Sequence, residues 1–295
     1  MPKRLFSIFL IFITIFSFAG CSFCSPKKIE DVVKCSSNSY TCYFDGIKHD
    51  FIVELPDTNS TNAPLIIALH GYGNNASSMR LSTNLHEQAN EAGICVVYVT
   101  GASNPDDAIS ALSWNSGIGD MSNNDVGFLV ALKNYMAENF DTDSSNTFVV
   151  GFSNGAFMTH RIAVEASDEF KGVVSVAGMM PAKIWNEMNK DLSISVFQIT
   201  GTKDEVIPQN LNNSASSSIN PAIELVMDKY VELTKADLYA TTDIGKNSVL
   251  NKYHSEASVE IWDLLIRDGY HSWPDENIAG FSINELIVDF INSCI

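Results

Sequence analysis

Basic residues are scarce in this sequence. Its 295 residues contain 18 lysines and arginines against 35 aspartates and glutamates, and the formal net charge is −17 at pH 7. Binding of nucleic acid requires a basic face that neutralises phosphate groups, and attachment to anionic lipid requires a cluster of lysines and arginines. The composition therefore argues against both kinds of partner.

Cysteines are also few, and their spacing does not indicate a metal site. The six residues are Cys21, Cys24, Cys35, Cys42, Cys95 and Cys294. No repeated C-x-x-C pair occurs, so we expect no bound metal. If the first of them carries lipid, five thiols remain and one stays unpaired. Which of the others form disulfides stays open, because connectivity cannot be deduced from sequence.

Unbroken apolar runs longer than a strand are missing except near the N-terminus. A Lys-Arg pair precedes LFSIFLIFITIFSFA, residues 5–19, which contain no charge. This order predicts a signal peptide over 1–20; a retained anchor is the alternative, but a membrane span requires about 20 apolar residues. The following FAGC allows either lipid attachment at Cys21 or plain secretion after Ala19 or Gly20. Both routes lead to an oxidising compartment.

Apolar runs and amphipathic segments alternate through the rest of the chain. Residues 21–38 are polar and predict a linker, and we expect one domain over 39–295 because no repeat or second boundary is visible. PLIIALH, ICVVYVT and ISVFQITG are typical of fully buried strands, and helical spacing separates them. This order predicts βαβ units on a mostly parallel sheet with helices on both faces and no separate lid domain.

A serine between two glycines stands at one strand-to-helix junction. Gly151, Ser153 and Gly155 form a G-x-S-x-G motif between the strand NTFVVGF and a predicted helix. Small glycines permit a sharp bend that holds the serine hydroxyl out at the top of an α/β-hydrolase sheet. We therefore interpret Ser153 as a nucleophile; the alternative is an ordinary serine that caps the helix.

A serine nucleophile requires a base, and a triad in this fold follows the order Ser, acid, His. His271 lies in RDGYHSWP after the last predicted strand, where the base is expected. His254 is the competing histidine, but its polar surroundings favour a surface role. Asp204 follows a strand in QITGTKDEVIP and is the predicted acid, with Glu205 as its nearest rival. A plain turn residue is the alternative interpretation of Asp204.

An acyl-transfer site also needs donors for the oxyanion. The sequence HGYG, residues 70–73, follows the first central strand, as the His-Gly loops of esterases do. We expect the backbone N–H groups of Tyr72 and Asn154 to form the oxyanion hole. The alternative for HGYG is a flexible turn.

Five segments together resemble a known family. PLIIALHGYGNNASSM, SWNSG with NNDVGFL, VVGFSNGAFMTHRIAVE, GTKDEVIP and GYHSWP occur in the same order in secreted esterases of the feruloyl esterase and polyhydroxybutyrate-depolymerase-like group. The resemblance spans about 40–292 and implies an α/β-hydrolase fold. It also implies that Ser153, Asp204 and His271 are the catalytic triad.

Three further residues match elements of that family. Trp114 and Asn115 match a Trp-Asn element near the active-site mouth, and Trp273 follows the catalytic histidine. We expect the rings of Tyr72, Trp114 and Trp273 to form aromatic walls for the substrate; ordinary packing is the alternative. Asp125 matches an Asp-Val-Gly-Phe helix start, which a plain helix cap explains equally well.

These features predict a secreted serine carboxylesterase, which is possible without a metal or organic cofactor. The resemblance implies hydroxycinnamoyl esters of plant polysaccharides as substrates. The alternatives are short-chain 3-hydroxyalkanoate or acetyl esters, a serine peptidase of the same fold, and a catalytically inactive surface binding protein. Enzymes of that family that attack solid polyester usually carry a separate substrate-binding module as well. No such module is visible within this sequence, which disfavours solid polyester as the substrate. The oligomeric state stays open.

Overall fold

A computed structural model of the chain describes residues 27–57, 61–103, 110–119, 121–209 and 220–295. The predicted signal peptide and Cys21 lie outside the described residues. The strands are β1 (Glu30–Lys34), β2 (Ser39–Phe44), β3 (Ile47–Glu54), β4 (Ala63–Leu69), β5 (Cys95–Val99), β6 (Ala102–Ser103), β7 (Leu112–Ser113), β8 (Thr142–Phe152), β9 (Gly172–Val176), β10 (Ser195–Gly201), β11 (Asp237–Ile244), β12 (Ser248–His254) and β13 (Glu260–Ile266).

Eight helices connect or flank these strands within the described residues. They are α1 (Ala76–Thr83), α2 (Leu85–Glu91), α3 (Asp125–Phe140), α4 (Asn154–Glu165), α5 (Ala182–Glu187), α6 (Ile223–Thr234), α7 (Glu276–Ala279) and α8 (Ile283–Cys294). No helix among the described residues is long and apolar enough to cross a membrane.

The large sheet contains eleven strands in the order β1-β2-β3-β5-β4-β8-β9-β10-β13-β12-β11. Its centre, from β5 to β13, is entirely parallel. The flanking pairs on both sides are antiparallel. The predicted α/β-hydrolase fold with a mostly parallel sheet is confirmed.

The central strands are mostly apolar because helices cover both faces of the sheet. Every residue of β5, β9 and β10 is buried. One core layer contains Phe128 of α3, Met158 of α4 and Tyr230 of α6. The opposite layer contains Leu85 of α2 and Phe290 of α8. Because the central strands are parallel, their carboxyl ends lie at one edge of the sheet, where ligands bind in such folds.

The structure corrects the prediction that residues 21–38 are all linker. Glu30–Lys34 forms β1, which pairs antiparallel with β2 at the edge of the large sheet. This short strand is mostly exposed, and only Val32 and its neighbour Ile29 pack against the core. Its sequence therefore lacks the apolar run that marks the central strands.

Candidate active site

The bend at Ser153 is the first feature that positions the site. β8 ends at Phe152 and α4 begins at Asn154, so Ser153 lies alone between strand and helix with φ 52° and ψ −116°. A non-glycine residue rarely adopts positive φ, and such strain concentrates at functional sites. A Cβ on Gly151 would lie 2.2 Å from the carbonyl oxygen of Gly155, and one on Gly155 would lie 2.4 Å from that of Leu69. Both glycines are therefore required by this tight junction.

The structure brings the three predicted triad residues together. The Oγ of Ser153 lies 2.9 Å from Nε2 of His271, and Nδ1 of His271 lies 2.8 Å from Oδ2 of Asp204. These residues follow β8, β13 and β10 respectively, at the carboxyl edge of the parallel strands. The arrangement has the geometry of a nucleophile, a base and an orienting acid.

The buried Asp204 carboxylate determines which nitrogen of His271 carries the proton. Its Oδ1 accepts hydrogen bonds from the backbone N–H groups of Val206 (2.9 Å) and Ile207 (2.7 Å). Its Oδ2 therefore faces Nδ1 of His271, and because an ionised carboxylate only accepts, Nδ1 is the protonated nitrogen. Nε2 is left with a lone pair directed at the hydroxyl of Ser153.

His254 and Glu205, the two residues that competed for the roles of base and acid, are not part of the hydrogen-bonded triad. Nδ1 of His254 pairs with Oε1 of Glu260 at 2.6 Å, and Glu260 is the first residue of β13. That pair therefore lies at the edge of the sheet opposite to Ser153. Glu205 is exposed beside Asp204.

The loop that follows β4 passes directly over Ser153. A Cβ on Gly71 would lie 3.3 Å from the Cβ of Ser153, so glycine permits this close approach. Asn154 is the first residue of α4, where backbone N–H groups have no partner within the helix. The amino end of a helix favours negative charge. Tyr72 and Asn154, the predicted oxyanion donors, therefore flank the nucleophile.

The side chain of His70 fixes this loop, a role that sequence reasoning missed. Its Nε2 accepts a hydrogen bond from the backbone N–H of Gly101 at 2.9 Å, and its Nδ1 donates to the carbonyl of Gly71 at 2.7 Å. Burial lowers the pKa of His70 to about 4. The imidazole is therefore neutral at pH 7, as the Gly101 contact requires.

The structure contradicts the prediction that Trp114 contacts the substrate. The side chain is 0% exposed, and its indole Nε1 donates to the carbonyl of His70 at 3.0 Å. The backbone N–H of Trp114 donates to Oδ1 of Asn154 at 2.7 Å. Trp114 therefore links the loop after β4 to the first residue of α4 from within the core.

Trp273 and Tyr72, two of the rings predicted to contact the substrate, differ in their surroundings. A cavity of about 290 Å³ is lined by Trp273, His271, Phe152, Gly71 and Met79, among others. Trp273 is half-buried and its Nε1 donates to Oδ1 of Asn284 at 3.1 Å. Tyr72 is 51% exposed. Contact between these two rings and a substrate stays a prediction; of the two, only Trp273 lines this cavity.

Asp125 is not the helix cap. The cap of α3 is Asn124, whose side chain accepts from the N–H of Gly127 at 3.0 Å. Asp125 is buried, and its carboxylate accepts from the backbone N–H of Asn115 and from Nδ2 of Asn123, both at 2.6 Å. Burial raises the pKa of Asp125 to about 6.

The sheet and the strand–Ser153–helix bend define an α/β-hydrolase. The chain belongs to the phospholipase/carboxylesterase family, whose profile matches residues 49–238. The predicted enzyme class is thereby confirmed at the level of the family.

Relatives of known description agree with the predicted resemblance. Feruloyl esterase B of Thermothelomyces thermophilus is 30% identical over 129 residues, which cover 43% of this chain and 43% of that protein. An acetylxylan esterase of Coprinopsis cinerea is 34% identical over 125 residues, covering 41% of this chain and 32% of that protein. The chain thus spans less than half the length of the curated relatives that it matches.

A solved structure supports the fold. The acetyl xylan esterase from Aspergillus awamori superposes with a TM-score of 0.62 at 12% identity, and the match covers 83% of this chain and 94% of that one. At this identity the likeness is evidence for the α/β-hydrolase fold alone.

Proposed function

We propose that this protein is a serine carboxylesterase that works through an acyl-enzyme. The observation that carries the proposal is the hydrogen-bonded series Ser153–His271–Asp204 at a strained strand-to-helix bend. Membership of the carboxylesterase family and the feruloyl and acetylxylan esterase relatives support it.

In the first half of the reaction, Oγ of Ser153 attacks the ester carbonyl and its proton passes to Nε2 of His271. Asp204 stabilises the imidazolium that forms and holds its orientation. The carbonyl oxygen becomes an oxyanion, which accepts hydrogen bonds from the backbone N–H groups of Tyr72 and Asn154. Such preorganised donors stabilise the transition state more than the ground state.

In the second half, His271 returns the proton to the leaving alcohol as the tetrahedral intermediate collapses. Water then takes the place of the alcohol, and His271 removes a proton from it as it attacks the acyl group on Ser153. A second tetrahedral intermediate collapses to the free acid and restores the Ser153 hydroxyl. All proton transfers in this scheme use Nε2 of His271.

The substrate class that we propose is a hydroxycinnamoyl ester of a plant polysaccharide. Feruloyl esterase B relatives support it, and so does the indole of Trp273, which lines the cavity beside His271. An acetyl ester is the second candidate, which the acetylxylan esterase relatives favour. A short 3-hydroxybutyrate ester is a further alternative from the same class.

Three substrates separate these candidates. Methyl ferulate, a short-chain p-nitrophenyl ester and a 3-hydroxybutyrate oligomer are compared on the chain without its first 25 residues, with Ser153→Ala as control. We expect release of ferulate that the substitution abolishes. Activity confined to the short esters would retain the mechanism and change the substrate. If wild type and Ser153→Ala behaved identically on all three, the binding-protein alternative would replace the enzyme.

We further propose that the protein is exported and anchored or released outside the cytoplasm. The apolar run 5–19 and the following Cys21 support this. The intact mass of the protein purified from the cell fraction and from the medium tests it. A lipid-modified N-terminal Cys21 is one outcome, cleavage after Ala19 or Gly20 without lipid is the other, and an uncleaved chain would contradict export through a signal peptide.

A further inference from the structure

Asp125 is a buried charge that the reaction proposed above does not use. It is 1% exposed and lies at the start of α3, the helix that precedes β8 and the bend at Ser153. A buried carboxylate is costly unless hydrogen bonds compensate for lost hydration. The segment that donates these compensating hydrogen bonds to Asp125 therefore indicates the role of this residue.

Its main partner belongs to a short segment beside the nucleophile, which we call the strap (residues 112–116). The carbonyl of Leu112 accepts from the N–H of Gly73 at 2.8 Å, and the indole of Trp114 donates to the carbonyl of His70. These two bonds hold the loop that carries Tyr72, one of the predicted oxyanion donors.

The same strap also holds the second predicted donor. The side chain of Asn154 accepts from the N–H of Trp114 at 2.7 Å and donates through Nδ2 to Oγ of Ser116 at 3.2 Å. The strap thus contacts the residues on both sides of the oxyanion hole, and a shift of the strap would move one donor relative to the other.

Asp125 and Arg161 fix the strap at Asn115. The N–H of Asn115 donates to Oδ2 of Asp125 at 2.6 Å, and the carbonyl of Asn115 accepts from Arg161 of α4. The side chain of Asn115 donates to the carbonyl of Asn123 at 2.8 Å. The positive charge of Arg161 also favours the ionised form of Asp125. The two backbone polar groups of Asn115 are therefore bound by side chains of opposite charge.

We propose that Asp125 is a positioning residue for the oxyanion hole, acting through the strap on Tyr72 and Asn154. This inference rests on the proposed esterase function. In this role, Asp125 keeps the backbone donors of Tyr72 and Asn154 in place, and its carboxylate does not touch the substrate.

Two substitutions test this role. Asp125→Ala leaves the N–H of Asn115 and the amide of Asn123 without their buried acceptor. In Asp125→Asn, the new carbonyl oxygen accepts from Asn115, and its amide donates to Oδ1 of Asn123 once that side chain turns over. The isosteric variant should therefore restore the strap, whereas the alanine variant should release it.

The readout is kcat for p-nitrophenyl acetate divided by kcat for its thionoester, in which sulfur replaces the carbonyl oxygen. Sulfur accepts hydrogen bonds poorly, so the ratio reports on the oxyanion donors and not on the amount of folded enzyme. We expect Asp125→Ala to lower kcat for the oxygen ester about 10- to 100-fold, because removal of a whole oxyanion donor typically costs about 10²- to 10³-fold. The ratio should fall about tenfold. KM should change less than about threefold.

The controls define what each result means. Asp125→Asn should stay within about threefold of wild type in kcat and in the ratio. Asp263→Asn on β13 is a matched control, because burial raises the pKa of Asp263 to about 6 as well; it should leave the ratio unchanged. A wild-type ratio in Asp125→Ala, or no rescue by Asp125→Asn, would overturn the inference. Wild-type activity equal to that of Ser153→Ala would instead overturn the proposed function and, with it, this inference.

Discussion

At the residue scale, the proton on His271 depends on the carboxylate of Asp204. In Asp204→Asn, the backbone N–H groups of Val206 and Ile207 would hold the amide oxygen, so the NH₂ group would face Nδ1 of His271. That nitrogen would then have to accept, Nε2 would carry the proton, and Ser153 would lose its base. We expect kcat for p-nitrophenyl acetate to fall about 10⁴-fold.

Glu205→Gln is the matched control for that substitution. Glu205 is the exposed neighbour of Asp204, and its replacement should leave kcat within about twofold of wild type. A fall in kcat for Glu205→Gln similar to that for Asp204→Asn would contradict the assignment of the acid.

The two tryptophans near the site should respond differently to replacement by phenylalanine. Trp114→Phe removes the buried donor to the carbonyl of His70 and should lower the free energy of unfolding by about 1–3 kcal/mol. Trp273 lines the cavity beside His271, so Trp273→Phe should change KM for methyl ferulate with a smaller loss of stability. Urea unfolding and steady-state kinetics on both variants distinguish the two roles, and equal stability of Trp114→Phe and wild type would contradict a structural role.

Much of the site could be predicted at this scale, but not the partners of the predicted residues. The motif around Ser153 and the strand ends before Asp204 and His271 carry local signals. The contacts of His70 with Gly101 and of Arg161 with Asn115 join residues 31 and 46 positions apart, and a single sequence has no local pattern for them. For the same reason, Trp114 could not be recognised as buried.

At the element scale, α4 meets α6 and β10 at a buried histidine. Nδ1 of His160 pairs with the hydroxyl of Tyr230, and Nε2 pairs with Oε1 of Gln198. Burial lowers the pKa of His160 to about 4. The unfolded chain, with a pKa near 6.5, binds the proton first, so this histidine costs stability as the pH falls from about 6.5 towards 4.

Replacement of His160 should therefore flatten the acid side of the stability profile. Between pH 7 and 5, the free energy of unfolding of wild type should fall by about 2 kcal/mol more than that of His160→Gln. Urea unfolding at both pH values measures this difference. Parallel pH profiles for the two proteins would show that His160 titrates alike in the folded and unfolded chains.

The elements that could be predicted are those whose burial shows in the sequence. The apolar runs of β4, β5, β10 and β13 mark them as central strands. The hairpin of β11 and β12 has no such mark, because β11 lies at the sheet edge and is largely exposed. The spacing of apolar residues over about 276–292 is typical of one helix, but the structure divides this segment into α7 and α8 at Gly280, which has φ 81°. That break depends on a left-handed residue that helical spacing alone does not reveal.

At the scale of the whole molecule, the charge of −17 should affect which esters reach the site. A net negative field repels anionic substrates, and salt screens that repulsion over a Debye length of about 10 Å at 0.1 M. We expect kcat/KM for a p-nitrophenyl ester with a free carboxylate to rise about twofold from about 20 to 200 mM NaCl, relative to a neutral ester of equal length. An identical salt response of the two esters would contradict this effect of charge.

The most direct test of the central claim is the site of covalent labelling by a fluorophosphonate, mapped by mass spectrometry. We expect one label per molecule, on Ser153, with none on Ser153→Ala and strongly slowed labelling of His271→Ala. Labelling of a different serine, or unchanged labelling of Ser153→Ala, would contradict the claim that Ser153 is the nucleophile of this carboxylesterase-family protein.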